Sequence, residues 1–367
     1  MDTKIAIIAG TRPEIIKMSP IIRYCVENNI DYFVMHTGQH YSYNMEKLFY
    51  LDLGLGEPKF KLGITSKSPL LQSDHTGRML IGIEDVIIKE KPNVVLVQGD
   101  TNTVLAASLC ARKLVTSRFP VKLGHVEAGL RSYDRGMPEE INRIISDHIS
   151  DYLFAPTETA KQNMLKESIP VENIHVTGNT IVDALNHNVK LAKERSNILE
   201  KLELEKNEFM LITSHRPENV DVKQKLQGIM DGLRNVYDEF KIPMIYPMHP
   251  RTKKMLEQFN MKVPDKIKVI DALGYMDFLQ LLSSTKLVLT DSGGIQEEAC
   301  VLKVPCVTMR ENTERPETIE IKSNILTGTD PDKISDAAKV IIASNRNWNN
   351  PYGDGDTSEK IIKIVGE

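Results

Sequence analysis

Leu289-Thr290-Asp291-Ser292-Gly293-Gly294-Ile295-Gln296-Glu297-Glu298-Ala299 reads as the end of a buried strand, a two-glycine turn and the opening of a helix. The same grammar occurs near the N-terminus, where Ile5-Ala6-Ile7-Ile8-Ala9 runs through Gly10-Thr11-Arg12 into Pro13-Glu14. Working outward, short Ile- and Val-rich runs recur at 5–9, 32–36, 94–97, 121–126, 152–155 and 174–177, with 3.6-type spacing between them, as in 14–26 and 71–89. Continuous apolar strands separated by helices predict a parallel sheet covered on both faces. The pattern restarts at 209–213 and continues at 243–246, 267–270, 287–290, 305–309 and 325–326. Between the halves, 186–207 mixes Lys and Glu around sparse Leu, as an exposed helix and loop would. A chain of 367 residues also exceeds the size at which one core stops growing. The expectation is an α/β protein of two Rossmann-like domains facing a central cleft, 1–176 with a last helix at 353–367, and 177–352.

The totals exclude several classes. Lys and Arg number 46 against 50 Asp and Glu, a net charge of −4 without the concentrated positive field of a nucleic-acid binder. No run approaches the roughly 20 apolar residues of a membrane-spanning helix, and no secretory pattern opens the chain. Cys25, Cys110, Cys300 and Cys306 lack paired metal spacing and read as reduced structural thiols. A reducing, aqueous compartment follows as the expectation, the cytoplasm, with neither nucleic acid nor membrane as partner.

In doubly wound sheets ligands bind beyond the carboxyl ends of the strands. There the sequence concentrates its chemistry. The Ser292-Gly293-Gly294 turn offers free backbone N–H groups and a helix dipole to a phosphate, and Glu298 one turn on suits ribose hydroxyls. Arg12 and Lys17 follow the first strand, and Arg310 and Arg315 follow another, so cations gather for a diphosphate. Acids stand at three further ends: Asp100 after Val97-Gln98-Gly99, Glu127 after His125-Val126, and Glu139 after Met137-Pro138. His215 follows Thr213-Ser214. A partly desolvated carboxylate suits proton transfer. Glu139 is equally compatible with a helix N-terminal acid, and Asp100 and Glu127 with acceptors that support neighbouring groups. Gly-x-Ser-x-Gly is missing, and the first glycine turn is not G-x-G-x-x-G.

With these stretches the chain resembles the non-hydrolysing UDP-N-acetylglucosamine 2-epimerases. The likeness runs through Gly10-Thr11-Arg12-Pro13-Glu14, Thr37-Gly38-Gln39-His40, Gly99-Asp100-Thr101, His125-Val126-Glu127-Ala128-Gly129-Leu130-Arg131, Pro138-Glu139-Glu140-Ile141-Asn142-Arg143, Thr290 to Glu298, Thr313-Glu314-Arg315-Pro316-Glu317 and Pro351-Tyr352-Gly353-Asp354-Gly355. It implies a glycosyltransferase-B-like architecture, a last helix crossing back to the first domain, a homodimer, and catalysis without cofactor or metal. It implies C2 inversion of UDP-GlcNAc to UDP-ManNAc by elimination and re-addition of UDP, supplying surface polysaccharide or glycan synthesis. Matched residue by residue, Asp100, Glu127, Glu139 and His215 are the catalytic set, with no assignment of an acid to a face of the ring. Arg12, Lys17, Leu273, Phe278, Ser292, Gly293, Gly294, Glu298 and Arg315 join Asp100, Glu127 and His215 in holding the UDP-sugar, Phe278 near the uracil. Gln39 and His40 fall on the family's activating second site, where Tyr41-Ser42-Tyr43-Asn44 and Ser66-Lys67-Ser68-Pro69 depart from its Arg-containing pattern. A glycosyltransferase of the same fold and a hydrolysing 2-epimerase are the alternatives.

Overall fold

The apolar run Ile5–Ala9 forms β1 at the middle of a sheet and is buried at every position. The computed structural model describes residues 3–38, 49–64, 72–114 and 120–366. Its first sheet comprises β1, β2 (Tyr32–His36), β3 (Phe60–Lys61), β4 (Val94–Gln98), β5 (Lys122–Val126), β6 (Tyr152–Ala155) and β7 (Ile174–Val176). The strand order is β3-β2-β1-β4-β5-β6-β7, and every pairing is parallel. The chain builds outward from β1, then returns to β4 and builds the other way. The loops after β1 and β4 therefore flank the point where the order reverses, which is where a ligand crevice opens in such sheets.

The second sheet repeats the plan with β8 (Met210–Thr213), β9 (Met244–Met248), β10 (Ile267–Asp271), β11 (Leu287–Thr290), β12 (Cys306–Thr308) and β13 (Asn324–Leu326). Its order, β10-β9-β8-β11-β12-β13, is again wholly parallel and reverses between β8 and β11. Both faces are covered. Leu289, Ile212 and Tyr246 meet Leu226, Met230 and Leu233 of one helix on one side, while Val288, Leu211 and Ile245 meet Leu281 and Leu282 on the other.

The chain divides into two compact units, 1–184 with 352–367 and 185–351. The first boundary lies eight residues beyond the expected 176, inside the helix Thr180–Arg195. The reason is local bonding. Asn179 N donates to Tyr352 O at 2.9 Å, and Asp183 accepts from Ser358 N and Oγ at 2.9 and 2.7 Å. The final helix, Thr357–Gly366, packs on the helix Arg12–Glu27 of the first unit. The strand β3 was not anticipated, since two residues carry no periodicity.

All four cysteines are buried and free of disulfides. Burial pushes the thiols of Cys25, Cys110 and Cys306 up to about 12, which leaves them unreactive. Among the described residues no helix is long and apolar enough to cross a membrane.

Candidate active site

Glu127 follows β5 with φ +69°, a conformation that non-glycine residues seldom adopt and that functional sites often hold. That backbone aims its carboxylate at Lys17, which forms a buried ion pair with it. Gln98 Nε2, at the end of β4, donates to the same Glu127 Oε2 at 3.0 Å, and Asn179 Nδ2 reaches it at 3.5 Å. Lys17, expected as an open cation of the anion grip, is thus turned toward a carboxylate of its own unit.

Asp100 ends the loop after β4. Arg143 grips its Oδ2 through Nε and Nη2 at 3.0 and 2.9 Å, and Asn142 Nδ2 donates to its backbone oxygen at 2.9 Å. Both partners come from the helix Pro138–Ile149, whose first turn holds Glu139, half-buried. Glu140, the neighbouring acid, is the buried one: it pairs with Arg143 and accepts from Ser132 N and Tyr133 N at 3.0 and 2.8 Å.

Two residues before Glu127, His125 is fully buried on β5. Its Nδ1 stands 2.7 Å from Asp147 Oδ1 and its Nε2 2.7 Å from Gly99 O. Burial alone would make the ring less basic, but Asp147 and the Gly99 carbonyl hold it above the usual histidine range. Glu14 ties the loop after β1 to the loop after β4. Its Oε2 accepts from Gly10 N and Thr11 N at 2.8 and 2.7 Å, and its Oε1 from Thr101 Oγ1 at 2.6 Å. Burial outweighs these donors and raises its carboxyl to about 7. Arg12, one residue beyond Thr11, lies 5.4 Å from the Phe49 ring centre.

In the second unit Ser292 precedes the helix Gly293–Val301 without capping it by its side chain. The two glycines serve different ends. A Cβ at Gly293 would stand 3.0 Å from Arg315 Nη1, whereas one at Gly294 would meet nothing within 4 Å. Gly293 lets Arg315 pack; Gly294 leaves the helix N-terminus open to an incoming group. Arg315 itself is buried, with Nε on Glu297 at 2.8 Å and Nη1 on Glu314 at 3.1 Å. Arg310 shares Glu314 at 2.8 Å. The two guanidinium groups expected to face a diphosphate are bound to buried carboxylates, so their first evident work is to brace this turn.

Asp291, fully buried after β11, organises the loop after β8: His215 N and Arg216 N donate to it at 2.9 Å and Ser214 Oγ at 3.2 Å. His215 Nδ1 lies 3.3 Å from its Oδ1. Burial opposes ionisation, yet the His215 bonds hold Asp291 below the usual carboxylate range. His215 keeps an exposed flank beside His249, with ring centres 5.4 Å apart. Burial and the neighbouring His215 keep His249 less basic than an ordinary histidine. Glu298 is buried on the Gly293–Val301 helix, while Leu273 and Phe278 are partly buried against Leu281 and Leu282.

The structure therefore gathers Lys17, Asp100 and Glu127 at the reversal point of the first sheet, and His215 with Ser292, Gly293 and Gly294 at that of the second. Gln39 and His40 lie outside the described residues, as do 41–44 and 66–69. Missed by sequence reasoning were Gln98, Arg143, Asn179, Asp147 and Asp291, the partners that hold the named side chains. Gln98 and Asp291 stood at strand ends and were open to the same reading. Arg143 and Asp147 announce themselves only through helical spacing from Glu139 and Glu140. Among the described residues no three His, Cys, Asp or Glu side chains converge as a metal site.

Two doubly wound parallel units with acids and an anion-ready turn at their strand ends define a glycosyltransferase-B-like α/β enzyme. A family model described as UDP-N-acetylglucosamine 2-epimerase matches residues 24–366, and the chain belongs to that family. The UDP-N-acetylglucosamine 2-epimerase of Methanocaldococcus jannaschii is 50% identical over 99% of this chain and 98% of its own length. That of Methanococcus maripaludis is 51% identical with the same coverage. The crystal structure of the Methanocaldococcus jannaschii UDP-GlcNAc 2-epimerase in complex with UDP-GlcNAc and UDP superposes with a TM-score of 0.90, covering 99% of each chain.

Proposed function

We propose that the chain interconverts UDP-GlcNAc and UDP-ManNAc. A carboxylate takes the C2 proton while the C1–O bond breaks, leaving 2-acetamidoglucal and UDP. A second acid returns a proton to C2 from the opposite face, and a UDP oxygen rebonds to C1. The C2 hydrogen is weakly acidic, so leaving-group stabilisation must accompany its removal. The Ser292-Gly293-Gly294 helix N-terminus supplies it, with His215 beside the phosphates and Arg315 bracing the turn. Asp100 and Glu127 are the proton-transfer groups, Glu139 completes the acid set, and Arg12 and Lys17 serve the same substrate. Glu298 takes the ribose hydroxyls, and Leu273 and Phe278 border the uracil.

One observation carries this reading: adjacent strands β4 and β5 lead into carboxylates that are each paired with a cation, Asp100 with Arg143 and Glu127 with Lys17. Charges so placed are ready to exchange protons without reorganising. The reading extends to a homodimer, as the family resemblance implies, acting in the cytoplasm, as the unpaired cysteines and the lack of a secretory pattern suggest.

The test is incubation with UDP-GlcNAc in D₂O. Deuterium at C2 in both epimers, with UDP still attached, is expected. Epimers that keep their protium sink the elimination mechanism, free ManNAc would mark a hydrolysing enzyme, and transfer of the sugar to an acceptor a glycosyltransferase.

A further inference from the structure

The first unit contains a buried charge network that none of these roles uses. His125 is flanked by two groups that only accept hydrogen bonds, the Asp147 carboxylate at 2.7 Å and the Gly99 carbonyl at 2.7 Å. A neutral imidazole has one N–H, so one of these contacts would set lone pair against lone pair. A charge tally points the same way. Arg131 Nη1 donates to Asp147 Oδ2 at 2.7 Å, and its Nε and Nη2 hold Glu167 Oε1 and Oε2 at 2.7 Å each. Two carboxylates face one guanidinium. His125, Asp147 and Arg131 are 0%, 1% and 4% exposed, whereas the Glu167 side chain is 26% exposed and lies 3.8 Å from His148 Nδ1. A proton on both ring nitrogens gives each acceptor a donor and, with Glu167 counted, brings the four side chains to neutrality.

We propose that His125 is a permanently protonated positioning residue, an imidazolium that ties the Asp100 turn to the helix carrying Arg143. Gly99 N donates to Val126 O at 3.1 Å, so the His125 bond to Gly99 O holds this residue to β5 on its other side as well. Gly99 stands at φ +82°, a left-handed conformation that favours glycine. The next residue is Asp100, whose backbone and carboxylate are gripped by Asn142 and Arg143. Asn142, Arg143 and Asp147 share the helix Pro138–Ile149. His125 thus closes a ring of bonds from β5 through the turn and the helix back to β5, two residues before Glu127. The positioning role rests on the proton-transfer reading above; the protonation state does not.

The decisive measurement is long-range ¹⁵N–¹H correlation on the full chain labelled at its nine histidines, with His125 assigned from the spectrum of His125→Gln. Both ring nitrogens of His125 are expected to stay protonated from pH 6 to 9. One unprotonated nitrogen at pH 7 overturns the proposal. Because no substrate is present, this result stands or falls apart from epimerisation. In His125→Gln, kcat is expected to fall roughly 10–100-fold by misplacement of Asp100, with UDP affinity unchanged because none of the residues assigned to the phosphates bonds to His125. Wild-type turnover in that variant overturns the positioning role. Should His125→Gln fail to fold, Asp147→Asn removes the counter-charge at constant shape: His125 should then lose a proton between pH 6 and 9, and a ring that stays doubly protonated refutes the charge tally.

Discussion

Gly293 and Gly294 are chemically identical and structurally opposite, and their replacement by alanine separates packing from binding. At Gly294 a methyl group meets open space, and alanine is the better helix former by about 1 kcal/mol in a helix interior. Gly294→Ala should therefore melt no lower than the parent, yet bind UDP at least tenfold more weakly in calorimetry, because the methyl occupies the phosphate's approach. At Gly293 the methyl crowds Arg315, so stability and affinity should fall together. Glu14 gives a pH test. Its folded carboxyl, near 7, lies above the ordinary 4.5, so the fold binds the extra proton and stability declines as pH rises from about 4.5 through 7. The contribution is on the order of 3 kcal/mol. Glu14→Gln reproduces the protonated form, with its amide donating to Thr101 and its oxygen accepting from Gly10 and Thr11. Thermal melts of that variant should lose this decline; an unchanged slope would remove Glu14 as its source.

At the scale of the element, the helix Pro138–Ile149 turns a polar face inward: Glu140, Asn142, Arg143, Ser146 and Asp147 are its buried residues. Hydrophobic periodicity looks for apolar stripes, so this face gave no sign of what it supports. It holds Asp100 directly and, through His125, the turn before it. Asp100→Asn or Glu127→Gln should each lower kcat by roughly 10²–10⁴ if the group moves a proton. Near-normal turnover in steady-state assays would strike that residue from the mechanism. The helix Arg12–Glu27 shows a different compensation. Pro20 cannot donate to Ile16 O, and Ser19 Oγ takes that place at 2.8 Å. Strand positions were largely legible because buried parallel strands are continuous apolar runs; their ends moved by a residue or two where pairing, not composition, terminates the ladder.

For the molecule as a whole, the last sixteen residues complete the first unit although they follow the second in sequence. Tyr352 is buried, Ser358 binds Asp183, and Ile361, Ile362 and Val365 cover apolar surface. Truncation after Pro351 should reduce amide-exchange protection in the helix Arg12–Glu27 and around 179–184. Protection in 209–343 should persist. Loss of protection in both regions would show that the two units do not stand as separate cores.

Composition, periodicity and turn chemistry by themselves determined two parallel α/β units and the strand ends at which chemistry gathers. Those properties depend on local spacing and on which residues avoid water, and both are written along the chain. The partners of each functional side chain were decided only in three dimensions. Lys17 meets Glu127 across 110 residues and Asp100 meets Arg143 across 43. Such pairs depend on strand order, on one left-handed residue at Glu127 and on a helix buried by its polar face. No window of sequence contains those facts, because the energy that selects a charge's partner arises only once water has been excluded around both.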